Sequence, residues 1–83
     1  MNELSTIEKS QLTALEKIIE KNPESFIKVG TALLEIRDSK LYRDTHETFE
    51  EYCRGRWGFG KSYVNDLIGS ATAYNVYSQK KGT

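Results

Sequence analysis

The sequence predicts an all-α fold, a compact four-helix domain with a helix-turn-helix in its C-terminal half. Three observations carry this. Apolar residues recur at helical spacing along most of the chain, and no stretch alternates with the period of a strand. Two segments, Ser5-Thr6-Ile7-Glu8 and Thr48-Phe49-Glu50-Glu51, have the form of a capping box. A glycine-containing turn, Gly58-Phe59-Gly60, separates a short helical segment from a longer one. With 83 residues the chain has room for one domain, about 1–83.

The first helix runs from Thr6 to about Lys21, behind the Ser5 box, with Leu12, Leu15, Ile18 and Ile19 on one stripe. Asn22-Pro23 ends it, and the same pair is expected to open the second helix, with Asn22 as N-cap and Pro23 in the first turn. The second helix has a wide apolar stripe of Phe26, Ile27, Val29, Gly30, Leu33 and Leu34, and reaches Arg37. Gly30 inside it costs up to about 1 kcal/mol relative to alanine, which points to a close helix–helix contact. Asp38-Ser39-Lys40 breaks the pattern, and Leu41-Tyr42 is expected to fold back on the core. A short third helix follows the Thr48 box and ends at about Trp57. The fourth starts at Lys61 with Val64, Leu67, Ile68 and Ala71 on one face, and is expected to reach about Tyr77, leaving 78–83 as a frayed polar tail. The predicted core is Leu12, Leu15, Ile19, Phe26, Leu33, Leu34, Phe49, Tyr52, Trp57, Val64, Leu67 and Ile68.

Composition narrows the function. Hydrophobic residues at 37% and charged residues at 29% are too apolar for a disordered tail and too polar for a membrane protein. No apolar run approaches the roughly 18 residues of a membrane span. The opening MNELSTIEKS has no signal-peptide pattern, so a cytoplasmic protein is expected. One cysteine, Cys53, excludes an internal disulfide. One histidine, His46, argues against a structural zinc site, and no cofactor is expected. No phosphate loop, nucleophile–base signature or convincing carboxylate pair appears, so the chain is not read as an enzyme.

The 12 basic and 12 acidic residues cancel, but unevenly. Residues 1–50 carry a net charge of −3 and residues 51–83 a net of +3. A basic C-terminal part suits an anionic partner such as nucleic acid.

The segment TFEEYCRGRWGFGKSYVNDLIG is the informative one. A DNA-binding helix-turn-helix crosses the backbone with its first helix and enters the major groove with its second. Its turn needs a residue at positive φ, hence glycine. Around Gly58 the locking positions are apolar: Cys53, Trp57, Phe59, Val64 and Leu67. Arg54 stands where a small residue is usual, so either the helices are expected to cross at a wider angle or Arg54 to turn outward, with Gly55 easing the contact. The exposed start of the fourth helix would then offer Lys61, Ser62, Tyr63 and Asn65 to the groove. Lys61 suits phosphate or guanine, Asn65 adenine, and Ser62 either backbone or base. Arg54 and Arg56 are the candidate phosphate contacts. Asp66 suits cytosine or an ion pair with Lys61.

Residues from about Phe26 to Ala73 resemble a family of small proteins from phage, plasmid and other mobile elements. The resemblance rests on Ile36-Arg37-Asp38, Leu41-Tyr42-Arg43, Thr48 to Cys53, Arg56-Trp57-Gly58 and Leu67-Ile68, in that order. It implies a small DNA-binding or regulatory module. The family often has serine or threonine with a basic residue just after the turn, where this chain has Gly60-Lys61. The expected function is therefore a DNA-binding regulator acting on double-stranded DNA, as a homodimer whose reading helices lie roughly 34 Å apart. The alternative is a protein-binding inhibitor or adaptor on the same scaffold. Zero net charge, Asp66 and the tyrosines Tyr63, Tyr74 and Tyr77 favour that second reading.

Overall fold

The structure is a computed structural model that describes residues 3–81, with side chains described for residues 3–77. It is all-helical, with no strand among the described residues. Helix α1 spans Thr6–Lys21, α2 Phe26–Asp38, α3 Phe49–Tyr52 and α4 Lys61–Lys81. A π turn over Cys53–Trp57 continues α3 without a break.

Both predicted capping boxes form. The Ser5 hydroxyl accepts from the Glu8 N–H while the Glu8 carboxylate accepts from the Ser5 N–H. Thr48 and Glu51 make the same reciprocal pair at the start of α3. The expectation for Asn22 is corrected. It caps the C-terminus of α1, and both its backbone N–H and its side-chain amide donate to the Ile18 carbonyl at 3.0 Å. Ser25 is the N-cap of α2, accepting from the Lys28 N–H. Pro23 lies in the short turn between the two helices.

Helix α2 is the centre of the core. Val29, Ala32, Leu33 and Ile36 are buried against α1 on one side and against Val64, Leu67, Ile68 and Ala71 of α4 on the other. Gly30 lies at the α2–α4 seam, where a Cβ would sit 2.3 Å from the Leu67 carbonyl oxygen and 2.8 Å from the Ala71 Cβ. The close contact expected of this glycine is therefore present. Leu41 folds back as expected and is 1% exposed. The chain reverses there through Lys40, whose φ of +52° is in the left-handed region. Arg43 stitches this corner together. Its guanidinium donates to the Lys40 carbonyl at 3.1 Å and to the Glu8 carboxylate of α1 at 2.7 Å.

Several core expectations change. Phe26 is 49% exposed, because the first residue of a helix has neighbours on one side only. Leu12, Leu15, Leu34, Phe49 and Trp57 pack against the core while remaining partly exposed. Leu4, ahead of the first periodic run, is buried with the rest. Helix α4 extends past Tyr77 to Lys81, which corrects the frayed tail expected over residues 78–81. Gly82 and Thr83 lie outside the described residues.

Candidate nucleic-acid interface

The elbow between α3 and α4 has the predicted geometry at its turn residue. Gly58 has φ +73° and ψ 22°, the left-handed conformation that glycine adopts without a Cβ penalty. Its N–H donates to the Arg54 carbonyl at 3.0 Å, and the Phe59 N–H to the Cys53 carbonyl at 3.1 Å, which closes the π turn. The phenyl ring of Phe59 stacks on Trp57 with centroids 6.2 Å apart and meets the edge of Tyr63 at 5.1 Å. Cys53 and Val64 are buried on either side of the elbow. Burial, with the charge of Glu50 as a second cause, pushes the Cys53 thiol up to about 12, so it is an inert apolar group at neutral pH.

Helix α4 turns its apolar face to α2 and leaves Lys61, Ser62, Tyr63, Asn65, Asp66 and Gly69 exposed. Lys61 and Asn65 are one turn apart on one flank, and Tyr63, half-exposed, is on the other. Asp66 makes no ion pair with Lys61 among the described residues. Five residues apart, the two point away from each other. Helices α1, α2 and α3 each have a side-chain cap, but Gly60, at the corresponding place in α4, has no side chain to offer. Its carbonyl accepts from the Val64 N–H. The first-turn N–H groups of α4 thus receive no acceptor from it.

The two arginines expected on the phosphate side separate. Arg54 is exposed and points outward, as expected from its size. Arg56 is exposed too, but its head group is engaged. Its guanidinium donates to Glu20 at 2.8 Å, lies 3.4 Å from Glu16, and covers the Trp57 ring at 4.1 Å from the centroid. The bond to Glu20, with the neighbouring Glu16 charge, raises its pKa further. Arg56 therefore ties the elbow to α1, so the carboxylates of Glu16 and Glu20 already engage the guanidinium expected at phosphate.

Tyr52 completes that joint. Its hydroxyl donates to Glu16 at 2.7 Å and accepts from the Trp57 indole N–H at 3.1 Å. Burial and then the Glu16 bond raise the phenol's pKa, so it stays a donor throughout the neutral range. Gly55 was expected to ease the α3–α4 contact. It instead makes room for His46, whose Nε2 would lie 3.1 Å from a Cβ there. His46 is half-buried, bonded to the Thr45 hydroxyl at 2.8 Å and edge-on to Tyr52 at 5.6 Å.

Sequence reasoning missed two neighbours of the start of α4. Arg37, at the end of α2, and Glu50, on α3, border the same cleft as Lys61 and Asn65. Both come from other elements, and no local spacing signals their approach. Among the described residues no cluster of three or more His, Cys, Asp or Glu could hold a metal. No helix among them is long and apolar enough to cross a membrane. No protein-family profile matches the chain, and no curated protein or solved structure is significantly similar to it.

Proposed function

We propose that this chain is a small, non-enzymatic DNA-binding regulator of the phage or plasmid kind, working in the cytoplasm. One observation carries the reading. Behind a left-handed glycine turn, α4 buries one face on α2 and leaves Lys61, Ser62 and Asn65 exposed at its start. The resemblance of Ile36-Arg37-Asp38 through Leu67-Ile68 to small mobile-element proteins supports it. On this reading Asn65 and Ser62 read base edges, Lys61 and Arg54 take phosphates, Tyr63 flanks the groove, and Arg56 holds the elbow on α1.

Few cations face the duplex, so a single copy binds weakly. Neutralising two or three phosphates gives a salt slope of only about −2 to −3. Two copies on successive major grooves would supply the rest. The test is a gel shift on random and then selected duplexes at low salt. Asn65→Ala is expected to cost about 1–3 kcal/mol on the preferred site and to flatten sequence preference. Arg54→Ala is expected to weaken all duplexes alike and to reduce the slope by about one unit.

Half-exposed Tyr63 and Tyr74 favour a second reading, a protein-binding inhibitor or adaptor. Absence of salt-dependent DNA binding, with loss of a protein partner on Tyr63→Ala or Lys61→Ala, would decide for it.

A further inference from the structure

The elbow encloses a cleft of about 210 Å³ between the end of α2, α3 and the start of α4. Its lining is mixed: Phe49, Phe59, Val64 and buried Cys53 supply the apolar part, and polar groups supply about as much surface. Its polar groups carry both signs. Lys61 is cationic, Glu50 is anionic and Asn65 adds an amide, while Arg37 gives one N–H to Asp38 at 3.1 Å and keeps the rest of its guanidinium for the cleft. Drug-sized ligands need pockets of about 300 Å³ or more. A dry cavity of about 150 Å³ already accepts a benzene ring. The space here fits one ring or branched alkyl group with a small polar head.

We propose that this cleft is a binding site for a free apolar α-amino acid. The carboxylate is held by Lys61 and Arg37 at the N-terminal end of α4, where the helix dipole also favours an anion. The ammonium meets Glu50. The side chain lies between Phe49 and Phe59. A plain carboxylic acid would leave Glu50 facing an anion, and a plain amine would leave Lys61 unanswered, since Arg37 already has Asp38. Only a ligand with both charges and an apolar body answers the whole lining.

The inference does not rest on the DNA reading, and its test needs no DNA. The full chain is followed by amide NMR during titration with L-phenylalanine, hydrocinnamate (no amino group), phenethylamine (no carboxylate) and glycine (no apolar body). L-Phenylalanine is expected to saturate at millimolar concentration, with shifts at Glu50, Phe59, Lys61 and Asn65. The other three are expected to bind at least about tenfold more weakly, the loss of one charged or apolar contact. Lys61→Ala and Arg37→Ala are expected to weaken L-phenylalanine and hydrocinnamate together while sparing phenethylamine. Glu50→Gln is expected to erase the preference for L-phenylalanine over hydrocinnamate. The proposal is overturned if L-phenylalanine does not saturate or if its shifts fall outside the elbow. It is equally overturned if hydrocinnamate or glycine binds as tightly.

Discussion

Gly30 and Gly69 both lie inside long helices, and the same substitution is expected to act on them with opposite sign. In a helix interior, alanine in place of glycine gains about 1 kcal/mol from backbone entropy alone. At Gly69 nothing lies within 4 Å of the new Cβ, so Gly69→Ala should keep that gain. For a domain of this size, it raises the melting temperature by about 4–8 °C. At Gly30 the new Cβ falls 2.3 Å from the Leu67 carbonyl oxygen, and both atoms belong to rigid helices. Ordinary contact distance requires α4 to back away by roughly 1 Å, and a gap of that size forfeits about half the dispersion energy along the seam. Overpacking of this kind costs about 1–3 kcal/mol and sometimes more. Gly30→Ala should therefore be a net loss of up to about 2 kcal/mol, a fall of as much as roughly 8–16 °C. Thermal unfolding followed by far-UV circular dichroism on both variants decides the matter. A Gly30→Ala protein as stable as Gly69→Ala would refute the close α2–α4 seam.

Other substitutions probe the joint and the corners. Tyr52→Phe removes one oxygen that serves both Glu16 and Trp57, and should lower stability by about 1–2 kcal/mol in urea unfolding. Arg56→Ala should lower stability by no more than about 1–2 kcal/mol, since its ion pairs are partly exposed and the cation–π contact is modest. The same variant should leave the salt slope of any DNA binding unchanged. Glu8 has its pKa held below the ordinary carboxylate value, chiefly by its hydrogen bond to Arg43 and then by the Ser5 N–H. A depressed carboxylate contributes stability that is present above its unfolded pKa and is lost as pH falls through its folded value. Arg43→Ala should therefore flatten the acid limb of the melting-temperature profile. Parallel limbs in the two proteins would count against that pairing.

The helices were legible because their signals are local. Ser5 with Glu8 and Thr48 with Glu51 mark two helix starts within four residues each, and both boxes close as drawn. Gly58 could be named as the turn residue because the apolar positions around it converge on one glycine. Asn22 misled because two good cappers, Asn22 and Ser25, lie within four residues. Only the three-dimensional path shows that Asn22 bonds backward to Ile18 and leaves the start of α2 to Ser25. The site was half legible for a related reason. Lys61, Ser62 and Asn65 are exposed, as helical periodicity requires. Arg56 reads as an outward cation until Glu16 and Glu20 arrive from α1, some 36–40 residues earlier in the chain. Arg37 and Glu50 reach the elbow in the same long-range way. Pairings of that separation leave no trace in spacing.

Trp57 is the only tryptophan in the chain, and two of its partners, Tyr52 and Arg56, are themselves bonded to Glu16 and Glu20 of α1. The acceptor of its indole N–H and the overlying Arg56 would both lose their anchor if α1 lifted away. The chain therefore carries its own optical gauge. Indole emission registers the docking of α1, whereas far-UV dichroism registers helix content as a whole. Overlaid denaturation curves would mean that the joint and the helices come apart in one cooperative step. An emission curve displaced to lower denaturant would identify α1 as a separable unit, released before the α2–α4 seam gives way.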